Sequence, residues 1–164
     1  MKQAELQIIA TLIRSQRHAA LGTLRDDAPF VSMVAYAVQP AFDSFLLHLS
    51  QLSPHTKQLQ VDPRASLLIT EPDDSREDVQ TLARITLLGF VTRIDQDNAD
   101  YASARTCYLT RLPASEMLFT FADFALYRFA PTEVRYIGGL ARAFTLTPDH
   151  LRAASQTVVK DSTK

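Results

Sequence analysis

The sequence has little that would point to covalent, metal or nucleic-acid chemistry. Its 164 residues include a single cysteine, Cys107, which excludes an intramolecular disulfide framework and any zinc site built from cysteines. The net charge is −1 and the pI about 6.4, so no basic footprint for nucleic acid or a lipid surface exists. Any anion that the chain binds must therefore be held by a local cluster of donors.

Long apolar runs and catalytic motifs are missing as well. The longest N-terminal apolar run, from Ile8 to Ile13, is short and flanked by charges, so we expect no signal peptide and no membrane span, and a cytoplasmic protein. There is no Gly-x-Ser-x-Gly elbow, Gly-rich phosphate loop or His-Glu-x-x-His, and the 4 histidines show no metal-ligand spacing. If the chain is an enzyme, a bound cofactor would have to carry out the difficult step.

The apolar pattern predicts one mainly β domain over residues 1–164, with a helical element at 3–16 and a terminal helix at 148–160. Short turns between the strands favour antiparallel pairing in a small barrel with peripheral helices. Because the chain has only 4 glycines, some turns must be longer loops. Gly89 is a plausible bulge, and Pro131 marks a turn. The predicted strands are 19–24, 30–38, 44–50, 66–70, 82–94, 124–129 and 133–137.

The corner after the third predicted strand is the most informative stretch for function. A short helix begins there, with Ser53 as its N-cap and Pro54 at its first position, and it ends before Asp62. A helix N-terminus presents N–H groups and a positive dipole end to an anion, although an ordinary capped surface helix fits the same residues. The hydroxyl and cationic donors that predict a phosphate or carboxylate site are Ser50, Ser53, His55, Thr56 and Lys57.

Other residues allow two interpretations each. Arg84 stands in an apolar strand, either extending outward to solvent or aimed at a phosphate, a flavin carbonyl or a carboxylate across an interface. Strand alternation puts Ser32 and Tyr36 on one face, where they could offer hydroxyls to a planar ligand or belong to the core. The aromatic residues between Phe119 and Phe124 suit core packing or a subunit contact.

The order of these parts resembles the FMN-binding split-barrel family of pyridoxamine-phosphate-oxidase-like proteins, and is closest to its haem-utilisation branch. The resemblance runs from about Ala19 to Arg142. The segments that carry it are Ala20-Leu21-Gly22-Thr23-Leu24, Pro29-Phe30-Val31-Ser32-Met33-Val34, Ser53-Pro54-His55-Thr56-Lys57, Asp62-Pro63-Arg64-Ala65-Ser66-Leu67, Arg84-Ile85-Thr86-Leu87-Leu88-Gly89, Phe121-Ala122-Asp123-Phe124 and Arg135-Tyr136-Ile137-Gly138-Gly139.

The resemblance implies a six-stranded antiparallel split barrel that forms a homodimer, with FMN in a groove between the subunits. Its phosphate would be held by Ser50 and by Ser53, His55, Thr56 and Lys57. Arg84 would reach the cofactor from the next long strand, and Ser32, Met33 and Val34 would meet the flavin ring. The substrate-binding C-terminal signature of true pyridoxamine phosphate oxidases is absent, and haem ligation from the C-terminal region would rest on His150 alone.

Two functions follow from the resemblance. The first is an FMN-dependent oxidoreductase that acts on a small organic molecule, in which the flavin does the redox chemistry. The second is a non-catalytic dimeric module that binds haem or flavin. The branch usually reads Gly-Gly-Phe-Gly-Arg-Ala near its end, where this chain has Leu140 and Ala141, and this departure favours the second.

Overall fold

A computed structural model describes residues 1–139 and 142–157 of the chain. Among these residues, eight strands form one sheet in which every pairing is antiparallel. The strands are β1 His18–Arg25, β2 Ala28–Ala35, β3 Ala37–Val38, β4 Phe45–Ser50, β5 Arg64–Thr70, β6 Arg84–Ile94, β7 Phe124–Ile137 and β8 Ala143–Leu146.

The helices lie at the ends of the described chain and between strands. Position 158 onward of the predicted terminal helix lies outside the described residues, and the helix that is described there ends at Ser155. The α-helices are α1 Gln3–Ser15, α2 Pro54–Val61, α3 Tyr101–Arg111 and α4 Pro148–Ser155, and the 3-10 helices are Val79–Thr81 and Pro113–Thr120. None of the helices in the described part is long and apolar enough to cross a membrane.

The sheet order is β2-β1-β5-β6-β7-β4-β3, with β8 beside β7, which is the predicted antiparallel split-barrel class. The expected count of six strands is wrong for two local reasons. The predicted strand 30–38 is interrupted at Tyr36, whose buried hydroxyl donates to the Ile13 carbonyl of α1 at 2.8 Å. In addition, the short strand β8 pairs with the C-terminal half of β7.

One continuous strand, β7, replaces the two strands that we predicted on either side of Pro131. Pro131 can lie within the sheet because it pairs with Gly89 at a register shift, where the sequence predicted a bulge. The extra residue of the bulge is Thr132 of β7, between the pairs Leu88–Glu133 and Gly89–Pro131. A Cβ at Gly89 would overlap the Ala130 carbonyl oxygen, so the close approach of the two strands needs glycine there. Because the strand pairing is irregular at this bulge, the lack of an N–H donor at Pro131 does not end the strand.

The core lies between the inner face of the sheet and α1. The buried face of α1 includes Ile9, Ala10 and Ile13, as the periodicity predicts. These side chains pack with Phe45 and Phe129 of the central strands, whose rings meet edge to face at 6.2 Å. This packing covers one face of the sheet, and the opposite face is not covered by α1.

Candidate functional site

The start of α2 has the geometry that its sequence predicts. Ser53 is the extended N-cap residue, with φ −68° and ψ 141°, and Pro54 occupies the first turn. The backbone N–H groups of Thr56 and Lys57 donate to the Ser53 carbonyl at 3.1 and 3.2 Å. The Ser53 hydroxyl makes no capping hydrogen bond, so it is not committed to the helix.

Ser50, at the end of β4, is engaged with a carboxylate. Its hydroxyl donates to Oδ2 of Asp123 at 2.6 Å and accepts the backbone N–H of Leu52 at 3.2 Å. A carboxylate about 4 Å from a bound anion repels each of its charges by roughly 1–4 kcal/mol near a protein surface. Asp123 therefore opposes a phosphate at this hydroxyl.

Two of the predicted site residues contact each other on the inner side of the sheet. Ser32 Oγ and His55 Nδ1 are 3.1 Å apart and join β2 to the start of α2. Burial lowers the pKa of His55, which keeps its imidazole uncharged at neutral pH. The Thr56 side chain is fully buried, and its hydroxyl has no hydrogen-bond partner in the described part of the chain. Neither His55 nor Thr56 offers a cation or an accessible hydroxyl to an anion.

Lys57 differs from its neighbours because it is exposed beside a groove. This groove, of about 330 Å³, lies between α2 and the β1–β2 turn and is lined in part by Lys57, Arg25 and Leu24. Arg25 also lies over the Phe30 ring, with its guanidinium carbon 5.6 Å from the ring centre. Lys57, Arg25 and the Ser53 hydroxyl are thus the donors that the corner can present to an anionic ligand.

Met33 and Val34 point to opposite sides of the sheet. Val34 belongs to the core with 4 % of its surface exposed, whereas Met33 is 70 % exposed on the outside. A ligand on the outer side would therefore contact the Met33 side chain, and Val34 could take part only through its backbone.

Arg84 lies far from the α2 corner within one chain. It pairs with Ile137, the last residue of β7, whereas Ser50 pairs with Phe124, the first. About 40 Å of strand separates these two ends of β7. One guanidinium nitrogen of Arg84 donates to the carbonyls of Gln80 and Leu82 at 2.9 and 3.0 Å. Arg84 and the corner donors do not form one site within a single chain.

The side of the sheet opposite α1, which we call the outer face, carries a largely apolar surface. It is formed by alternate residues of β2, β1, β5 and β6, which lie side by side in the strand register. Ala20 leaves part of its centre low, while Ser66 beside Gly22 and Thr86 beside Leu68 are polar. Its large exposed apolar side chains are Val31, Met33, Leu68, Leu88 and Phe90.

One end of the outer face is polar and cationic. Ala20 pairs with Leu68, so His18 lies beside Thr70, which in turn pairs with Arg84. These residues form one row of cross-strand neighbours. In the next row on the same face, Thr86 pairs with Arg135. A pocket of about 440 Å³ opens at this end and is lined by His18, Ala19, Ala20, Val31, Ser32, Met33, Leu68 and Thr70.

His48 is buried in an aromatic cluster that is separate from the core beneath α1. Its ring stacks on Phe119 with centroids 3.7 Å apart and planes 6° apart, and it is 8 % exposed. Tyr108 and Phe124 lie at 5.8 and 5.2 Å from the same ring. Burial, followed by the charge of Arg105, lowers the pKa of His48 to about 4. This cluster gives Phe119 and Phe124 the packing role that was one of the two expectations.

A family model described as the CREG β-barrel matches residues 2–150. The chain belongs to this family. It is 38 % identical over 116 residues to the non-canonical haem oxygenase HOZ of Arabidopsis thaliana, a match that covers 71 % of this chain and 34 % of that protein. The chain thus spans about a third of the length of this curated relative.

Solved structures confirm the fold. A haem-binding protein from Mycobacterium smegmatis superposes with a TM-score of 0.81 at 27 % identity, over 93 % of this chain and 62 % of the other. A pyridoxine-phosphate-oxidase-family protein from Clostridium acetobutylicum matches with a TM-score of 0.70 at 16 % identity, over 92 % and 99 % of the two chains, and shows the fold alone. The predicted likeness to pyridoxamine-phosphate-oxidase-like split barrels, near the haem-utilisation branch, is confirmed.

Sequence reasoning missed the outer face and the pocket beside His18. The adjacent apolar pairs Leu67–Leu68 and Leu87–Leu88 were the available sign, because a strand that carries apolar side chains on both faces is one whose two faces are both covered. In this CREG-family chain the inner members of the pairs enter the core, and Leu68 and Leu88 form the outer face.

Proposed function

We propose that the chain binds haem on its outer face, between two copies of itself. The observation that carries the proposal is an exposed apolar surface, with Met33 and Leu68, that borders the cations Arg84 and Arg135 at one end. Haem has this same division, with a flat apolar ring and anionic propionates at one edge. The similarity to a plant haem oxygenase and a mycobacterial haem-binding protein supports this ligand.

The residues present fit such a ring. Ala20 leaves a low floor, whereas the place of a Cβ at Gly22 is already filled by the Ser66 hydroxyl. Met33 and Leu68 border this floor with exposed apolar side chains. Arg84 and Arg135 stand at the end where propionates would need cations. Bound haem would supply an iron centre for redox chemistry, while these side chains hold and orient it and exclude water.

A second copy of the chain is the partner that we assign to the outer face. Val31 and Met33 are 67 % and 70 % exposed beside each other, which is costly in water and typical of a surface that a partner covers. A homodimer would cover the side of the ring that one sheet leaves open. A cytoplasmic location is part of the same proposal.

The test measures ligand and assembly together. Purified protein is titrated with haem while the Soret band is followed, and its mass in solution is measured by light scattering. We expect a saturable Soret shift and a dimer, both of which Met33→Glu weakens. The matched control is Val61→Glu, which places the same charge on α2 at an apolar residue that is 87 % exposed away from the outer face.

Saturable binding that Met33→Glu reduces and Val61→Glu leaves unchanged supports the proposal. Absence of a Soret shift in the wild type overturns it. So does equal binding by the two variants, because the outer face would then have no part in it.

The alternative function is an FMN-dependent oxidoreductase of the pyridoxamine-phosphate-oxidase type, acting on a small molecule. The observation that favours it is the uncommitted Ser53 hydroxyl together with the exposed Lys57 beside the groove. The flavin would supply hydride and electron chemistry, and the protein would hold its phosphate. A contribution from Ser50, Ser32 or His55 would require breaking the hydrogen bonds described above, and one from Thr56 would require exposing its buried hydroxyl.

The chromophore released by denaturing the purified protein distinguishes the two functions. FMN release, with retention lowered by combined Ser53→Ala and Lys57→Ala, supports the oxidoreductase. A protein that takes up no FMN at millimolar concentration excludes it.

A further inference from the structure

The outer face contains one imidazole, that of His18, the first residue of β1. Its side chain is exposed and lines the pocket of about 440 Å³ together with Ala20, Met33 and Leu68. We propose that His18 is the protein ligand of the haem iron. This inference rests on the proposed haem binding and adds to it the residue that coordinates the metal.

The other three histidines are engaged elsewhere in the structure. His48 is buried and stacked on Phe119. His55 uses Nδ1 to meet Ser32 on the inner side of β2. His150, on which ligation from the C-terminal region would have rested, uses Nδ1 in the capping box at Thr147 that begins α4. None of the three faces the outer surface of the sheet.

His18 has the freedom that a metal ligand needs. Its imidazole makes no hydrogen bond to another residue within 1–139 and 142–157, so coordination would break no contact seen there. An uncharged imidazole is the most frequent protein ligand of haem iron. The apolar lining from Met33 and Leu68 suits the ring that would surround the iron.

The row formed by His18, Thr70 and Arg84 places a cation near the proposed haem ligand. His18 and Arg84 are separated by Thr70 alone, two strand spacings, or about 10 Å. A propionate carboxylate of a ring bound at His18 would extend toward Arg84. Only one guanidinium nitrogen of Arg84 is used by the Gln80 and Leu82 carbonyls, which leaves donors for such a carboxylate.

Met33 is the rival ligand, because its thioether lines the same pocket and can also bind haem iron. Met33→Leu keeps the volume and removes the sulfur, so it separates the two. His150→Gln serves as the control for loss of a histidine outside the outer face.

The experiment compares ferric haem complexes of the wild type, His18→Gly, His18→Gln, Met33→Leu and His150→Gln by absorption and electron paramagnetic resonance. We expect both His18 variants to change the spin state, and haem affinity to fall by at least about tenfold, since even residues that only orient a metal ligand cost this much. Free imidazole should restore the wild-type spectrum in His18→Gly. His150→Gln, outside the outer face, should keep the wild-type spectrum and affinity. Met33→Leu, which lies in the binding surface, should keep the wild-type spin state whatever its affinity.

The outcomes separate this inference from the function on which it rests. A wild type without a Soret shift refutes haem binding itself. A wild type that binds haem, with His18 variants whose spectra and affinity are unchanged, refutes only the ligand assignment. A spectral change in Met33→Leu alone would assign the iron to the thioether. Thermal unfolding of each apoprotein checks that loss of binding is not loss of fold.

Discussion

The buried ring of His48 should make the stability of the protein depend on pH. His48 is 8 % exposed and lies flat against Phe119, and its pKa is lowered from 6.5 to about 4 by burial and then by Arg105. The unfolded chain takes up a proton near pH 6.5, while the folded chain resists it until about pH 4. Between these values the unfolded state binds more protons, so stability falls as the pH falls.

The size of the effect follows from the difference between the two pKa values. At about 1.4 kcal/mol for each pH unit, His48 alone should remove roughly 3 kcal/mol of unfolding free energy between pH 6.5 and pH 4. For a chain of this length that corresponds to a fall in melting temperature of roughly 6–12 °C. Below pH 4 both states are protonated, and this contribution stops changing.

His48→Phe is the variant that isolates the contribution, because a phenyl ring can keep the stack on Phe119. Urea unfolding at pH 7.5, 5.5 and 4.5 gives the free energy of each protein. We expect the wild type to lose roughly 2.5 kcal/mol more than His48→Phe between pH 7.5 and pH 4.5, because this range stops short of the folded-state pKa. His150→Gln, which removes a histidine from the surface of α4, should follow the wild type. If His48→Phe loses as much stability as the wild type, the argument that burial holds this imidazole neutral is refuted.

Three further predictions concern the outer face and two buried contacts. Arg84→Ala should weaken haem binding in a Soret titration by about tenfold to a hundredfold, which is the contribution of a charge-assisted hydrogen bond. The control Arg64→Ala should change the affinity little, because Arg64 is already paired with Asp62. Gly89→Ala should lower the unfolding free energy by about 1–3 kcal/mol in urea, because its methyl group would overlap the Ala130 carbonyl oxygen. Arg142→Ala should lower the free energy of unfolding, because it leaves the buried Glu5 carboxylate without its partner, and adding Glu5→Gln should recover part of the loss in the same assay.

Features set by a few neighbouring residues were predictable from the sequence. Ser53 and Pro54 determine the start of α2 through their own backbone preferences. Gly89 marked a bulge because glycine within a strand has few other uses. The inward face of α1 follows from helical periodicity alone.

Features that depend on distant pairing were not predictable. Pro131 read as a turn because its tolerance in β7 comes from Gly89, some forty residues earlier in the chain. The four residues of β8 are defined by β7 and not by their own composition. Ser50 read as a phosphate donor because Asp123, its partner, is distant in sequence. The outer face emerged only once the sheet order showed which members of the apolar pairs point outward.

The two candidate ligands require donors at opposite ends of the sheet, and this separation makes a crossed experiment decisive. Lys57 lies beside Arg25 at the C-terminal end of β1, and Arg84 lies level with His18 at the other end of that strand, so about 23 Å of strand separates the two along the sheet. Within one chain, Lys57→Ala should therefore lower FMN retention without affecting haem affinity, and Arg84→Ala should do the reverse. Both titrations use the same two proteins. A folding defect in one variant would therefore lower both its FMN retention and its haem affinity, and would be recognised by that. Equal loss of FMN in both variants would contradict the separation, because it would require Arg84 of one protomer to reach the corner of the other.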